Sequence, residues 1–190
     1  MDKTTLIKKC QLGDLESLNT LYKSYVKNAL GTAYLIAGNK GLAEDIVQEA
    51  FIQCFESIKS LKNIETFDIW FYKILTRTGW KTLSKHNNLI PTEGIYDNSL
   101  PSHDNSIETK IIVSEALNKL SIPIKTVITL YYFNDLSIKE ISSILGCFEG
   151  TVKSRLHNGK KQLKQILGED IDEYILKSNY LREGCTANGK

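Results

Sequence analysis

The sequence predicts an all-α protein of two small helical domains joined by a flexible linker, the second domain ending in a helix-turn-helix. Three observations carry this expectation. Apolar residues recur at helical spacing in both halves, with no convincing alternating strand pattern. Residues 86–106, HNNLIPTEGIYDNSLPSHDNS, hold two of the three prolines and no Lys or Arg, are rich in Asn and Ser, and show no helical period. Near the end of the second half, a glycine separates two short amphipathic stretches.

In the first half, Gly13-Asp14 precedes Leu15, Leu18, Leu21, Tyr22, Tyr25 and Val26, which share one helical face. Asp14 can cap that helix, because its carboxylate accepts from the unpaired N–H groups at the start. In residues 41–58, GLAEDIVQEAFIQCFESI, the side chains of Leu42, Ile46, Val47, Ala50, Phe51, Cys54, Phe55 and Ile58 form one apolar stripe. A third helix is expected from Phe67 to Lys85, with Trp70 and Phe71 mostly in the core. The second half predicts a helix near 107–120 and another from about Pro123 to Phe133. Proline fits a first helical turn, where its missing N–H removes no bond. In LSIKEISSILG, residues 136–146, Ser137 and Glu140 make an S-x-x-E capping box, and Ile138, Ile141 and Leu145 supply an inward face. Ser142, then Gly146 four residues on, then Val152 six further, give helix-turn-helix spacing. The small residue permits close approach, the glycine permits the turn, and the β-branched residue locks one helix on the other. The last helix turns Val152, Leu156, Leu163 and Leu167 inward. Gly159 also lies on that side; it costs roughly 1 kcal/mol against alanine and suits a close helix contact.

The domains that follow are 1–85 and 107–168, with a linker at 86–106 and a tail at 169–190. Fully stretched, the linker would cover about 70 Å. The chain has 190 residues, 42% hydrophobic and 24% charged, enough for one larger core or two small ones. No run approaches the roughly 18 apolar residues of a membrane span, and MDKTTLIKKCQLGD lacks the apolar stretch of a secretory signal. The expectation is a cytoplasmic protein without direct membrane insertion. Cys10, Cys54, Cys147 and Cys185 lie far apart, and His86, His103 and His157 are scattered, so neither a metal site nor a disulfide framework is expected. Cys10 and Cys54 read as small core hydrophobes. With no Walker loop, metal-ligand cluster or Ser/His/Asp grouping, nothing argues for an enzyme or a cofactor.

Net charge is only +2, so a nucleic-acid surface must come from local segregation. The four segments carry +3, −3, +4 and −2 in chain order. Residues 41–58 contain no Lys or Arg, and their outer side carries Glu44, Asp45, Gln48, Glu49 and Glu56. Such a face repels DNA. Plain solvation accounts for it, and a basic protein surface would also suit it. Residues 67–85 are opposite in character: Lys73, Arg77, Lys81 and Lys85 recur every four residues and form one slanting stripe, flanked by Trp70 and Trp80. Cations beside aromatic rings suit melted nucleic acid, where a ring stacks on an unpaired base for about 1–3 kcal/mol; core packing is the other use of such rings, and Trp80 is the more open of the two. In the last helix Lys153, Ser154, Arg155, His157, Asn158, Lys160 and Lys161 remain outside. Arg, Ser and Asn can bond base edges, whereas Lys mainly meets phosphates.

Three segments together, AEDIVQEAF (43–51), WFYKIL (70–75) and LSIKEISSILGCFEGTVKSRLHNGKKQL (136–163), resemble the bacterial RNA polymerase sigma factors of the extracytoplasmic-function (ECF) group. Domain order, linker and length also match. The resemblance implies an alternative sigma factor that binds core polymerase and directs promoter-specific initiation. By that resemblance, Glu44, Asp45, Gln48 and Glu49 dock on the β′ clamp helices, with the β flap as a further polymerase contact. Lys73, Arg77, Trp80, Lys81 and Lys85 meet and help melt the −10 element. Glu149, Thr151, Lys153, Ser154, Arg155, His157, Asn158, Lys160 and Lys161 meet the −35 element. An anti-sigma factor is the implied regulator. The other reading is a stand-alone helix-turn-helix transcriptional regulator, which would need neither the acidic helix nor the basic aromatic one. The chain departs from the family pattern at Thr76-Arg77 and at His157-Asn158-Gly159, where the family commonly has Arg-Asn and His-Arg-Ala.

Overall fold

A computed structural model of the chain describes residues 2–87 and 105–168. The central part of the expected linker, 88–104, and the tail 169–190 lie outside the described residues. Among those described are eight α-helices and no strand. Helix α1 (Lys3–Gln11) has Asp2 as its cap and buries Leu6, Ile7 and Cys10. Gln11 ends it by donating to the carbonyls of Ile58 and Leu61, at 3.0 and 2.8 Å. Helix α2 (Leu15–Ala37) starts at Asp14, whose carboxylate accepts from the Ser17 N–H at 3.0 Å. It stops at Gly38, in the left-handed region at φ 72°. Helix α3 (Lys40–Ser57) is capped by Asn39, and two 3₁₀ turns lead on to α4 (Phe67–Asn87). Sequence reasoning missed α1, whose nine residues offer only a short apolar face, and it followed the face of α2 as far as Val26 without assigning the helix an end.

An aromatic cluster closes the first half. Phe71 is fully buried, with Phe51 at 5.0 Å and Tyr25 at 5.5 Å between ring centroids, and Phe67 stacks parallel to it at 6.1 Å. Edge-to-face and offset pairs of this kind add about 0.5–1.5 kcal/mol each beyond burial alone. The expected stripe of α3 faces this cluster, with Leu42 and Phe55 half-buried and Ala43 buried in addition. Burial pushes the Cys54 thiol up to about 12 and raises that of Cys10, so both act as inert core groups.

The second half contains α5 (Asn105–Asn118), α6 (Ile122–Ile128), α7 (Ile138–Leu145) and α8 (Glu149–Leu167). Pro123 sits in the first turn of α6 as expected. The single helix expected over 123–133 instead widens into a π turn at Thr129–Phe133. The extra residue in that turn keeps Leu130 buried while carrying Phe133 and Asn134 towards the first half.

The halves pack together, α4 against α7, and α2 against α5, α6 and the π turn. Asn134 Nδ2 donates to Thr32 Oγ1 at 2.8 Å and to Tyr72 Oη at 3.0 Å, while Thr32 in turn donates to the Asn28 carbonyl at 2.8 Å. Gly31 lets α2 approach the π turn: a Cβ there would lie 2.6 Å from Phe133 Cζ. Beside this seam Lys125 is only 6% exposed, and its amine donates to Asn118 Oδ1 at 3.0 Å.

Burial pushes the Lys125 amine down to about 8. The unfolded chain therefore holds a proton on this residue that the folded one releases between about pH 8 and its ordinary value of 10.5. Within that window Lys125 makes stability rise with pH, and below it a buried charge is a standing cost. Lys125→Met should raise the melting temperature at pH 7, and the gap to wild type should narrow as pH climbs to 10.5. Paired thermal melts across that range check this; a constant gap contradicts it.

Candidate nucleic-acid interface

The helix-turn-helix is built from local chemistry. Ser137 and Glu140 form the expected capping box: the Glu140 N–H donates to Ser137 Oγ at 3.3 Å, and the Ser137 N–H donates to Glu140 Oε2 at 2.8 Å. Gly146 turns the chain at φ 64°, and its N–H and that of Cys147 both reach the Ser142 carbonyl. Ile141 and Ile144 are buried; Ile138 and Leu145, read as inward, are half-buried. In α8, Val152, Leu156, Gly159 and Leu163 are buried and Leu167 is half-buried.

Glycine at 159 has a packing reason. A Cβ there would sit 2.7 Å from Ile128 Cγ1 and 2.9 Å from Ile124 Cγ2, so α8 lies directly on α6. That seating fixes which way the rest of α8 points. Glu149, Lys153, Ser154, His157, Asn158 and Lys161 are exposed, and Thr151, Arg155 and Lys160 are half-exposed. Lys160 Nζ lies 5.5 Å from the Tyr132 ring centroid, which anchors the middle of the cationic row. One exposed residue of this module was missed. Phe148 occupies the cap position of α8, makes no side-chain cap bond and is 87% exposed. Polar caps are worth about 1 kcal/mol more than an apolar residue there.

On α4, Arg77, Lys81 and Lys85 are exposed and Lys73 is half-buried, so the stripe forms one edge of the helix. The two tryptophans have separate surroundings. Trp70 is half-buried beside Phe67, with centroids 5.8 Å apart. Trp80 is half-buried at the junction of the halves, where its Nε1 donates to Thr126 Oγ1 at 2.9 Å, and Thr126 passes the chain on to the Ile122 carbonyl at 2.7 Å. On α3, Glu44, Asp45, Gln48, Glu49 and Glu56 are all exposed. Ile52, 47% exposed, lies among them and was not singled out from the sequence. Its place between two carboxylate-bearing turns is the signal that could have flagged it.

The described residues contain no group of three or more His, Cys, Asp or Glu able to hold a metal, and no helix among them is long and apolar enough to cross a membrane. The fold and its surfaces define an all-helical protein with a helix-turn-helix in its second half and oppositely charged helices in its first. Residues 21–88 match the family Sigma-70 region 2, and residues 110–163 match Sigma-70, region 4. RNA polymerase sigma factor SigV of Bacillus subtilis is 36% identical over 142 residues, covering 73% of this chain and 84% of that protein. ECF RNA polymerase sigma factor SigW of the same organism is 31% identical over 176 residues, covering 85% and 94%. Among solved structures, CnrH in complex with the cytosolic domain of CnrY has a TM-score of 0.67 at 16% identity, covering 87% of this chain and 97% of that one. The sigma factor RpoE in complex with the anti-sigma factor NepR from Bartonella quintana has a TM-score of 0.66 at 20% identity, covering 81% and 98%. The chain belongs to the ECF sigma factors of RNA polymerase. It is an alternative sigma factor, which directs transcription initiation, and the joint match of both regions disfavours a stand-alone regulator.

Gly159→Ala tests the seating of α8. Helix propensity favours alanine by up to about 1 kcal/mol, but the new methyl must displace two branched side chains, a strain of about 1–3 kcal/mol. A net loss of thermal stability is expected, and a higher melting temperature would show that α6 gives way without cost.

Proposed function

We propose that this sigma factor divides its work among three helices, with docking domain 1–85 and reading domain 107–168 tethered by 86–106. The exposed carboxylates of α3, Glu44, Asp45 and Glu49 with Gln48 between them, grip the basic β′ clamp helices of core polymerase. The basic edge of α4, Lys73, Arg77, Lys81 and Lys85, meets the backbone of the −10 element, and Trp80 stacks on an unpaired base. The outer face of α8, from Glu149 and Thr151 through Lys153, Ser154, Arg155, His157 and Asn158 to Lys160 and Lys161, meets the −35 element in the major groove. The β flap is a second polymerase contact. None of these tasks is catalytic; the chemistry belongs to the polymerase, and the chain works in the cytoplasm alongside it.

The observation that supports this reading best is charge segregation: the acidic side chains on the outer face of α3 are exposed, while the basic groups of α4 and α8 line other surfaces. A duplex carries one negative charge per about 1.7 Å of axis, so α3 cannot share the DNA with them. Trp80 adds a requirement. It is tied to Thr126, so its ring is delivered to a base only once the halves separate. An anti-sigma factor, as NepR is in the solved RpoE complex, would hold the chain out of polymerase.

Asp45→Lys combined with Glu49→Lys should cut co-purification with core polymerase at least tenfold while leaving the helical circular dichroism intact, since both side chains are exposed. Undiminished recovery rules out docking through α3. Trp80→Ala holoenzyme should still bind duplex promoter but show weaker permanganate reactivity at the −10 region; wild-type reactivity rejects the stacking role. Run-off transcription from genomic fragments, with and without the protein, tests promoter selection as a whole.

A further inference from the structure

Phe148 is the most exposed large apolar side chain among the described residues, at 87%. Its backbone is firmly placed. At φ −67°, ψ 147°, its carbonyl accepts the Thr151 and Val152 N–H groups at 2.9 and 3.2 Å, so it starts α8 even though its side chain caps nothing. The residue before it, Cys147, packs on the core, and the extended backbone then throws the next side chain outward. The ring thus stands at the leading end of the helix, next to exposed Glu149 and about one and a half turns before Lys153 and Ser154.

Gly150 makes a second, independent observation. It has no positive φ, and a Cβ added there would meet nothing within 4 Å. Neither conformation nor internal packing calls for glycine in this first turn, where it weakens the helix against alanine. A bare backbone beside a protruding ring describes a helix end shaped for an outside surface at close range. In a helix-turn-helix the start of the second helix approaches the base edges of the major groove. The one apolar group displayed there is the thymine C5-methyl, which takes apolar contacts from side chains such as Phe.

We propose that Phe148 is a specificity-determining residue whose ring packs on the methyl group of one thymine in the −35 element, with Gly150 letting the helix end come close enough. This rests on the reading of α8 as the −35 helix and adds to it a base that the polar residues do not select.

The test uses holoenzyme reconstituted from the full chain and core polymerase, on a −35 library and on single promoters in which each −35 thymine in turn is replaced by uracil, which removes only the methyl. Wild type should lose about fourfold in promoter binding at one position, the effect of one methyl-sized group leaving contact. Phe148→Ser supplies a capping hydroxyl, so its melting temperature should equal or exceed that of wild type. It should lose the thymine preference at that same position and be indifferent to uracil there. An unchanged uracil penalty in Phe148→Ser overturns the proposal, as does a uniform fall on every −35 sequence, which would mark a polymerase contact. A wild type indifferent to uracil at every position overturns it too. Arg155→Ala separates the two levels: if its −35 selection also stays flat, α8 is not the reading helix, whereas a shifted selection with no methyl effect removes Phe148 alone.

Discussion

Asn134 donates both protons of its side-chain amide across the junction between the halves, one to Thr32 and one to Tyr72. Asn134 is half-buried, and an amide drawn out of water costs free energy when stranded without partners but little when bonded. The bonds therefore matter less for the energy they add than for the geometries they forbid. Any slide of the second half over the first takes the Asn134 amide away from both of its acceptors at once. Trp80 and Thr126 repeat the arrangement about two turns further along α4, and Gly31 removes the side chain that would hold Phe133 away. Helix α4 is thus bounded by α3 on one side and by the second half on another, and the edge that remains is the one bearing Arg77, Lys81 and Lys85.

Local chemistry made much of this fold legible. The Ser137–Glu140 box, the Asp14 cap and the Gly146 turn are each decided by residues within four positions of one another, and all three are present. The buried stripe of α3 and the inward face of α8 follow from period alone. What period cannot give is pairing over long separations. Thr32 and Asn134 are 102 residues apart, and nothing in the neighbourhood of either announces the other. Trp80 is the plainest case: a tryptophan beside cations reads as a stacking platform, while its indole N–H is committed to Thr126. The surface residues of α3, α4 and α8 were readable because charge segregates along a helix. Phe148 was not, since the preference for polar caps makes an aromatic residue there look like turn filler.

Charge is spread economically over the chain. With a net +2, each half carries only a modest excess, yet the faces are strongly polarised. Solubility and self-repulsion follow net charge, whereas encounter with a polyanion follows the local field. A near-neutral chain with polarised faces can meet a basic partner and an acidic one without binding either indiscriminately.

The widened turn at Thr129–Phe133 acts as a phase shifter. An uninterrupted α-helix advances about 100° per residue, so the added residue resets the angular position of everything after it. Leu130 stays inward and Asn134 faces Thr32 and Tyr72 only because of that offset. Loss of one residue from this segment would leave the other helices able to form, yet would turn Leu130 from its buried place and swing the amide away from its acceptors. The coupling of the two halves is in this sense encoded in a count of residues, and an insertion or deletion there is a sharper lever on it than any change of side chain.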